Sequence, residues 1–299
     1  MEYAIGIDLG GTRIKAVLMN LTGNIIEEKI VQTHDSGNND GMEWKQAILE
    51  IVNEFKNQFP FLSIGISAPG LPNENNEFIA HMPGRMQGIE GFHWGSFLNQ
   101  NVYVLNDGIA ALMAESKFGV AKGKKHVVML TLGTGVGGAI LIEGKPYQGA
   151  FNKAGHIGHM VIDHSGDADV TGMPGSLEEC IGDCTILKRS KGKYSSTKKL
   201  LDDLIKGNDF ANQIWQLSVK QLALGLASVT NILSPEMIVL GGGITNAGEL
   251  LFDPLNSYME QFEWRAGGNK VQIAKAMFGE IAGTIGAASY ALDKDTSRQ

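Results

Sequence analysis

Apolar runs recur along this chain at two different spacings. Tyr3–Asp8, Arg13–Met19 and Ile25–Val31 are short runs that predict three strands, joined by turns such as Thr22-Gly23-Asn24. His34–Asp40 is polar and predicts a loop. From Glu43 to Phe59 the apolar positions Trp44, Ile48, Ile51, Val52 and Phe55 fall on one stripe, which predicts a helix. Ser63–Ser67 and Val102–Leu105 read as short buried strands, the first ending at Ala68-Pro69-Gly70 and the second at Asn106-Asp107. A helix is predicted over Gly108–Phe118. The order βββαβαβα describes an α/β unit with a mixed sheet.

The second half repeats this plan. Strands are predicted at Val127–Leu132, Gly137–Glu143 and near Met160–Ile162, then a long helix from about Phe210 to Leu233. Met237–Leu240 and Val271–Ala274 read as later strands and Ile281–Leu292 as a last helix. Two similar lobes with a cleft between them follow from this repetition, with the crossing near residues 108–120. The first lobe is expected over 1–108, joined by the C-terminal helix 281–299, and the second over 109–280.

Two glycine-rich turns occupy matching places in the halves: Asp8-Leu9-Gly10-Gly11-Thr12 and Thr131-Leu132-Gly133-Thr134-Gly135. Each lies between apolar runs and follows a polar residue, Asp8 or Thr131, at the same offset. Successive N–H groups in such turns form a concavity for anions. Each turn alone also fits a plain hairpin. Neither is a G-x-G-x-x-G fingerprint, and neither carries the G-K-[ST] ending of a P-loop. The pairing points to a phosphate chain gripped from both sides.

Composition narrows the class. A length of 299 residues with 43% hydrophobic content fits about two globular domains. The 39 glycines exceed the usual share of ~7%, and part of the excess lies in the turns. A net charge of −7 argues against a nucleic-acid surface. The short basic groups Lys122-Lys124-Lys125 and Lys188-Arg189-Lys191-Lys193 read as solvated faces. Cys180 and Cys184 are four apart, which predicts one helix face and poor disulfide geometry, hence reduced thiols in a cytoplasmic protein. No signal peptide is expected, and the apolar stretch Val127–Ile142 is too short to span a bilayer.

Taken together, the motifs resemble the ROK family of sugar kinases, in the actin/hexokinase-like ATPase fold with its ribonuclease H-like lobes. Asp8-Leu9-Gly10-Gly11-Thr12 resembles that family's first phosphate turn and Leu132–Gly138 its second. Leu105-Asn106-Asp107 resembles the catalytic strand end, and Ser234–Gly243 the adenosine-side segment. The resemblance implies ATP-dependent phosphorylation of a hexose or a hexose derivative. Asp107 would be the base, since a hydroxyl becomes a useful nucleophile when its proton is accepted in the transition state. On the residues alone, Asp107 equally fits a helix cap. Asn106 would bind a sugar hydroxyl, with Gly70, His156, His159 and Glu178 also on the sugar side. Thr12, Thr131, Thr134 and glycines 10, 11, 133 and 135 would serve the phosphates, and Asp8 would hold Mg²⁺ through water. Gly241, Gly242 and Gly243 would lie against the nucleotide, followed by a helix offering its N-terminus.

The chain departs from that pattern at the sugar end. The family's Glu-x-Gly-His appears here as His156-Ile157-Gly158-His159, so a histidine stands at the glutamate position. The cysteines of the family's zinc loop are replaced by Asp169, Thr171 and Ser176, so no zinc is expected. Hydrogen bonds from Ser, Thr and Asp side chains, with Pro174, are expected to hold the loop instead. In Met82-Pro83-Gly84-Arg85, Gly84 stands where many members have an asparagine that touches sugar, and Arg85 could reach an acidic sugar. These changes predict a sugar bound differently from glucose, or an N-acetylated or acidic sugar. The rival functions are a non-catalytic sugar sensor of the same fold, a DNA-binding repressor, for which the first turn begins too early, and a polyphosphate-dependent kinase. The resemblance implies a homodimer or homotetramer, with neither nucleic acid nor membrane as partner.

Overall fold

The computed structural model describes residues 3–35, 39–60, 63–82 and 84–296. Residues 36–38 of the expected loop, Pro83 and the last three residues of the expected C-terminal helix lie outside the described residues. In chain order the elements are β1 (Tyr3–Leu9), β2 (Arg13–Asn20), β3 (Ile25–Gln32), α1 (Met42–Gln58), β4 (Ser63–Ala68), β5 (Leu71–Pro72), β6 (Ile79–His81), α2 (Trp94–Leu98), β7 (Val102–Asn106) and α3 (Asp107–Lys117). There follow β8 (Val127–Leu132), β9 (Val136–Ile142), β10 (Lys145–Pro146), α4 (Leu177–Ile181), α5 (Ile186–Arg189), α6 (Thr197–Ile205), α7 (Asp209–Leu233), β11 (Met237–Gly241), α8 (Glu249–Phe262), β12 (Gln272–Lys275) and α9 (Ala282–Thr296). Two compact units result. The first comprises Met1–Gly123, Gln148–Lys153 and Met277–Gln299, and the second Lys124–Tyr147 and Ala154–Ala276.

The first unit is built on a sheet of order β3-β2-β1-β4-β7. The β3-β2-β1 part is antiparallel, while β4 runs parallel to both β1 and β7. β4 and β7 are buried at every position, as expected of parallel strands covered on both faces. β3 instead alternates half-buried and exposed residues, the pattern of an edge strand. The α1 stripe predicted from the sequence, Trp44 to Phe55, joins Ile5, Ile7, Ile64, Ile66 and Val104 in one core.

α9 lies against the sheet at backbone distance. A Cβ on Gly6 would collide with the Thr284 carbonyl, and one on Gly65 with the Ala287 carbonyl. On its other side α9 meets α3, where a Cβ on Gly286 would strike the Ala110 carbonyl. This packing carries the first unit beyond the expected boundary at 108 and as far as Gly123, because α3 belongs with α9.

The second unit repeats the sheet with the order β10-β9-β8-β11-β12. β10-β9-β8 is antiparallel and β8-β11-β12 parallel, the same senses as in the first unit. Its core is dominated by α7, whose Trp215, Val219, Leu222 and Leu226 pack with Leu130, Leu132, Ile238 and Leu240.

Three local expectations fail. Met160–Ile162 is not a strand: Ile157–His159 forms a short 3₁₀ turn, and Val161 makes only an isolated bridge to Ser176. Cys180 and Cys184 do not share a helix face, because α4 ends at Ile181 and Cys184 lies in a 3₁₀ turn; the first is buried and the second exposed. Arg189 is not solvated. Its guanidinium turns inward to Thr185 Oγ1, Ser218 Oγ and the Gly182 carbonyl, and burial lowers its pKa to about 10. No helix among the described residues is long and apolar enough to cross a membrane.

Gly286→Ala is expected to destabilise the protein by at least about 1–3 kcal/mol, the usual range for overpacking a tight contact. Urea unfolding measures this. A loss below about 0.5 kcal/mol, the level of a neutral surface change, would contradict the close seating of α9.

Candidate functional site

In the first unit, β1, β4 and β7 end side by side, and open α/β sheets bind ligands at such carboxyl ends. Asp8 pairs with Ser67 in register, and Ala68 with Asn106. Buried Ser67 donates from Oγ to Asp8 Oδ1 at 2.8 Å. A Cβ on Gly283 of α9 would lie 2.7 Å from the same oxygen, so only glycine leaves room for it. Burial raises the pKa of Asp8, and the Ser67 hydrogen bond and the Lys15 charge offset part of that rise. Lys15 itself is tied to Glu280, donating to its carbonyl at 2.9 Å and its carboxylate at 3.1 Å.

The next residues separate two roles that the sequence left together. Asn106, not Asp107, caps α3: its Oδ1 accepts from the Gly108 N–H at 2.9 Å. Asn106 Nδ2 donates to the Gly70 carbonyl at 3.0 Å, and the residue is 6% exposed. Gly70 holds φ at 101°, where a Cβ would meet the His81 carbonyl at 2.8 Å. The expected sugar contacts Asn106 and Gly70 therefore use these groups on each other and on the helix start. Asp107 stands exposed in the first turn, with Oδ1 accepting from the Gly108 N–H at 2.8 Å. Desolvation by the surrounding protein raises its pKa, the Gly108 bond lowers it, and the Asp8 charge raises it again.

The two glycine turns join β1 to β2 and β8 to β9, equivalent places in the two sheets. In the first, the Gly10 N–H donates to the Arg13 carbonyl at 3.1 Å. Thr33 closes the turn from the side, through its N–H to the Thr12 carbonyl at 3.0 Å and its hydroxyl to the Gly10 carbonyl at 2.6 Å. In the second, the Gly133 N–H donates to the Gly135 carbonyl at 2.9 Å. The carbonyls of Gly133 and Thr134 accept from Asp183 at 3.0 Å and Cys184 at 2.8 Å. Among the described residues the N–H groups of Gly11, Thr12, Thr134 and Gly135 have no hydrogen-bond partner. Each turn thus fixes its carbonyls and leaves two adjacent donors for an anion.

Other residues expected on the nucleotide side gather around the second turn. Gly241 pairs with Thr131 across β11 and β8. Gly242, at φ 86°, lies against Leu132, where a Cβ would sit 2.7 Å from that residue's backbone nitrogen. A 3₁₀ turn over Gly243–Ala247 follows, and α8 begins only at Glu249, so the helix expected directly after the glycines is displaced by one turn. Glu178, expected on the sugar side, is seated at this turn: its Oε2 accepts from the Val136 N–H at 2.9 Å. A Cβ on Gly135 would collide with the same carboxylate.

The loop that carries the sugar-side departures is in the second unit. His156 and His159 are half-buried, with rings nearly parallel and centroids 6.4 Å apart. Burial lowers the His156 pKa and the neighbouring His159 lowers it further, which favours the neutral ring. His159 Nδ1 lies 2.8 Å from Asp169 Oδ2. Asp169 also accepts from the Thr171 N–H and hydroxyl, so the expected Ser, Thr and Asp hydrogen bonds do hold this loop. Sequence reasoning missed Ser67, Gly283 and the centrality of Asp169. Ser67 had a signal: it ends an apolar strand at the same place that Asp8 ends β1. Asp169 had one too, since an Asp two residues before a Thr suits a local side-chain turn.

Comparison with known proteins gives a consistent result. The model of the family described as ROK matches residues 4–294. A glucokinase of Thermotoga maritima is 28% identical, with 95% of this chain and 96% of that protein covered. A ROK hexokinase of Thermus thermophilus superposes with a TM-score of 0.89 at 24% identity, covering 99% of each chain. A ROK family glucokinase of Streptomyces griseus, solved in complex with glucose and AMPPNP, superposes with a TM-score of 0.78 at 25% identity, covering 97% of this chain and 99% of that one. These neighbours give the fold as the actin-like ATPase type, as expected from the motifs. Relatives also include proteins named xylose repressor.

The raised pKa values carry a sign. A carboxyl that keeps its proton longer in the native state than at the ordinary ~3.9 of the unfolded chain contributes stability that is lost as pH rises through the native pKa. Asp8 and Asp107 should therefore titrate above ~3.9 by carboxyl NMR, and Ser67→Ala should raise Asp8 further. Asp107→Asn should leave Tm at pH 7 unchanged or higher; a fall of more than about 4 °C would contradict this.

Proposed function

Because the chain belongs to the ROK family, we propose that it is an ATP-dependent sugar kinase acting on a hydroxyl of a hexose or hexose derivative. The observation that carries this reading is Asp107: an exposed carboxylate at a parallel strand end, relieved of capping by Asn106. A raised pKa makes Asp107 a stronger base than an ordinary aspartate. It accepts the proton of the sugar hydroxyl as that oxygen attacks the terminal phosphorus of ATP. The N–H groups left open at Gly11, Thr12, Thr134 and Gly135 are suited to the phosphate oxygens, where charge builds in the transition state. The bare backbone at Gly241–Gly243 is suited to the nucleotide.

Asp8 fits Mg²⁺. One of its oxygens is held by Ser67, and its desolvated carboxylate is only partly compensated by the charge of Lys15, which is itself tied to Glu280. Mg²⁺ characteristically takes one or two carboxylates with water and phosphate rather than a full protein cage. When bound it neutralises charge on the phosphate oxygens. Among the described residues no group of three or more His, Cys, Asp and Glu is placed to hold a metal ion.

On the sugar side, a neutral His156 offers one donor and one acceptor where a carboxylate would offer only acceptors. That change favours an acceptor other than glucose, such as an N-acetylated sugar. An acidic sugar fits less well. Arg85 lines a cleft of about 1040 Å³ in the first unit, but Asp35, Asp40 and Glu90 line it as well.

An ADP-release assay over hexoses, N-acetylhexosamines and sugar acids tests the reading. The expected result is turnover of at least one sugar, with Asp107→Asn slower by about 10²–10⁴-fold. His156→Glu is expected to lower the KM for glucose by about tenfold, the worth of one good hydrogen bond. Calorimetric binding of a sugar without turnover of any would support the non-catalytic sensor instead.

A further inference from the structure

One buried carboxylate organises the loop that follows His159. The Asp169 side chain is 0% exposed, although Val170 beside it is 88% exposed. Its Oδ1 accepts from the Thr171 N–H at 2.8 Å, the Thr171 hydroxyl at 2.7 Å and the Met173 N–H at 3.1 Å. Its Oδ2 faces His159 Nδ1 at 2.8 Å, and the Ser176 hydroxyl lies near the same carboxylate and favours its charge. Burial alone would raise the pKa of this group. The donors from Thr171, His159 and Ser176 outweigh it and hold the carboxyl below the usual range, so the charge persists.

Two of these donors lead elsewhere. With its proton directed to a carboxylate at Nδ1, a histidine ring in the neutral form has a bare Nε2 that accepts hydrogen bonds. His159 is 28% exposed in its side chain, so that nitrogen can meet a ligand. Ser176 is the N-cap of α4, its Oγ accepting from the Glu179 N–H at 3.4 Å. Leu177 donates from its N–H to the Met160 carbonyl at 2.9 Å and fixes the entry to α4. From α4, Glu178 reaches the Val136 N–H of the second glycine turn at 2.9 Å.

We propose that Asp169 is a positioning residue with two outputs. Through Nδ1 it fixes the His159 ring so that Nε2 accepts from an acceptor-sugar hydroxyl, and through Ser176 it sets α4 so that Glu178 shapes the second phosphate turn. The inference rests on the kinase reading for what the two outputs bind, but not for the contacts themselves. A carboxylate hub of this kind does for a loop what an orienting partner does for a ligand histidine: it fixes the tautomer and the ring plane.

The test uses the full-length chain. Ring ¹⁵N NMR at pH 8, without ligand, is expected to show the His159 proton on Nδ1; a proton on Nε2 with Nδ1 bare would overturn the proposal. In Asp169→Asn, amide exchange at Thr171 and Met173 should speed up by about tenfold or more, and the KM values for sugar and ATP should both rise about tenfold, with kcat within about threefold. A fall in kcat with both KM values unchanged would mean that the residue serves only to keep the chain folded, and would overturn it. Thr171→Val removes one hydroxyl donor and leaves the carboxylate, so it covers the case in which Asp169→Asn does not fold. It should raise the same KM values by about threefold, and unchanged values would again overturn the proposal. Should the unaltered chain phosphorylate no sugar, the kinase reading fails, while the ring and exchange measurements still decide whether Asp169 fixes His159 and its loop.

Discussion

Backbone-to-backbone packing of α9 is the constraint on which the first half of the site depends. Glycines 6, 65 and 286 let that helix touch the sheet and α3 where any side chain would collide. Gly283 continues the contact past Asp8. Because α9 covers β1 and β4 this closely, the ends of these strands are fixed, and Ser67 can hold one oxygen of Asp8. Because α3 is held by the same helix, its first turn presents Asp107 from a fixed place. The same close packing sets Gly283 against the Asp8 carboxylate, whose pKa burial raises.

The second unit uses the same sheet for a different end. Its β8–β9 turn stands where β1–β2 stands in the first unit, and its β11 ends in glycine where β4 ends in Ser67-Ala68. One sheet plan therefore yields a carboxylate-bearing strand end in one unit and a bare-backbone strand end in the other. The turns share one feature across this divergence: carbonyls tied down, two neighbouring N–H groups left open. Glycine at Gly135 makes room for Glu178, whose carboxylate holds the start of β9 from outside the turn.

Much of this was legible in the sequence, for identifiable reasons. Strands and helices with a strong period, such as α1 and α7, sit within a residue or two of where the pattern places them. The two glycine turns and the strand-to-helix junction at Asn106-Asp107 fall where the sequence places them, because turns and strand ends are local features. What escaped depends either on side-chain geometry or on residues far apart in the chain. Whether Asn106 or Asp107 caps α3 is a question of side-chain geometry within one turn. The membership of α3 in the first unit depends on its packing against α9, far later in the chain. Arg189 looked solvated within a basic run, yet Ser218 and the Gly182 carbonyl draw it inward. The supposed strand at Met160–Ile162 had the right composition, but the loop around Asp169 leaves it only one bridge.

The pH dependence of kcat/KM for the preferred sugar, compared between the unaltered chain and Asp107→Asn, tests the central claim most directly. The account predicts an acid limb in the unaltered chain with an apparent pKa above the ordinary ~3.9 of an aspartate, and loss of that limb in the residual activity of the variant. An identical limb in both proteins would contradict the assignment of Asp107 as the base.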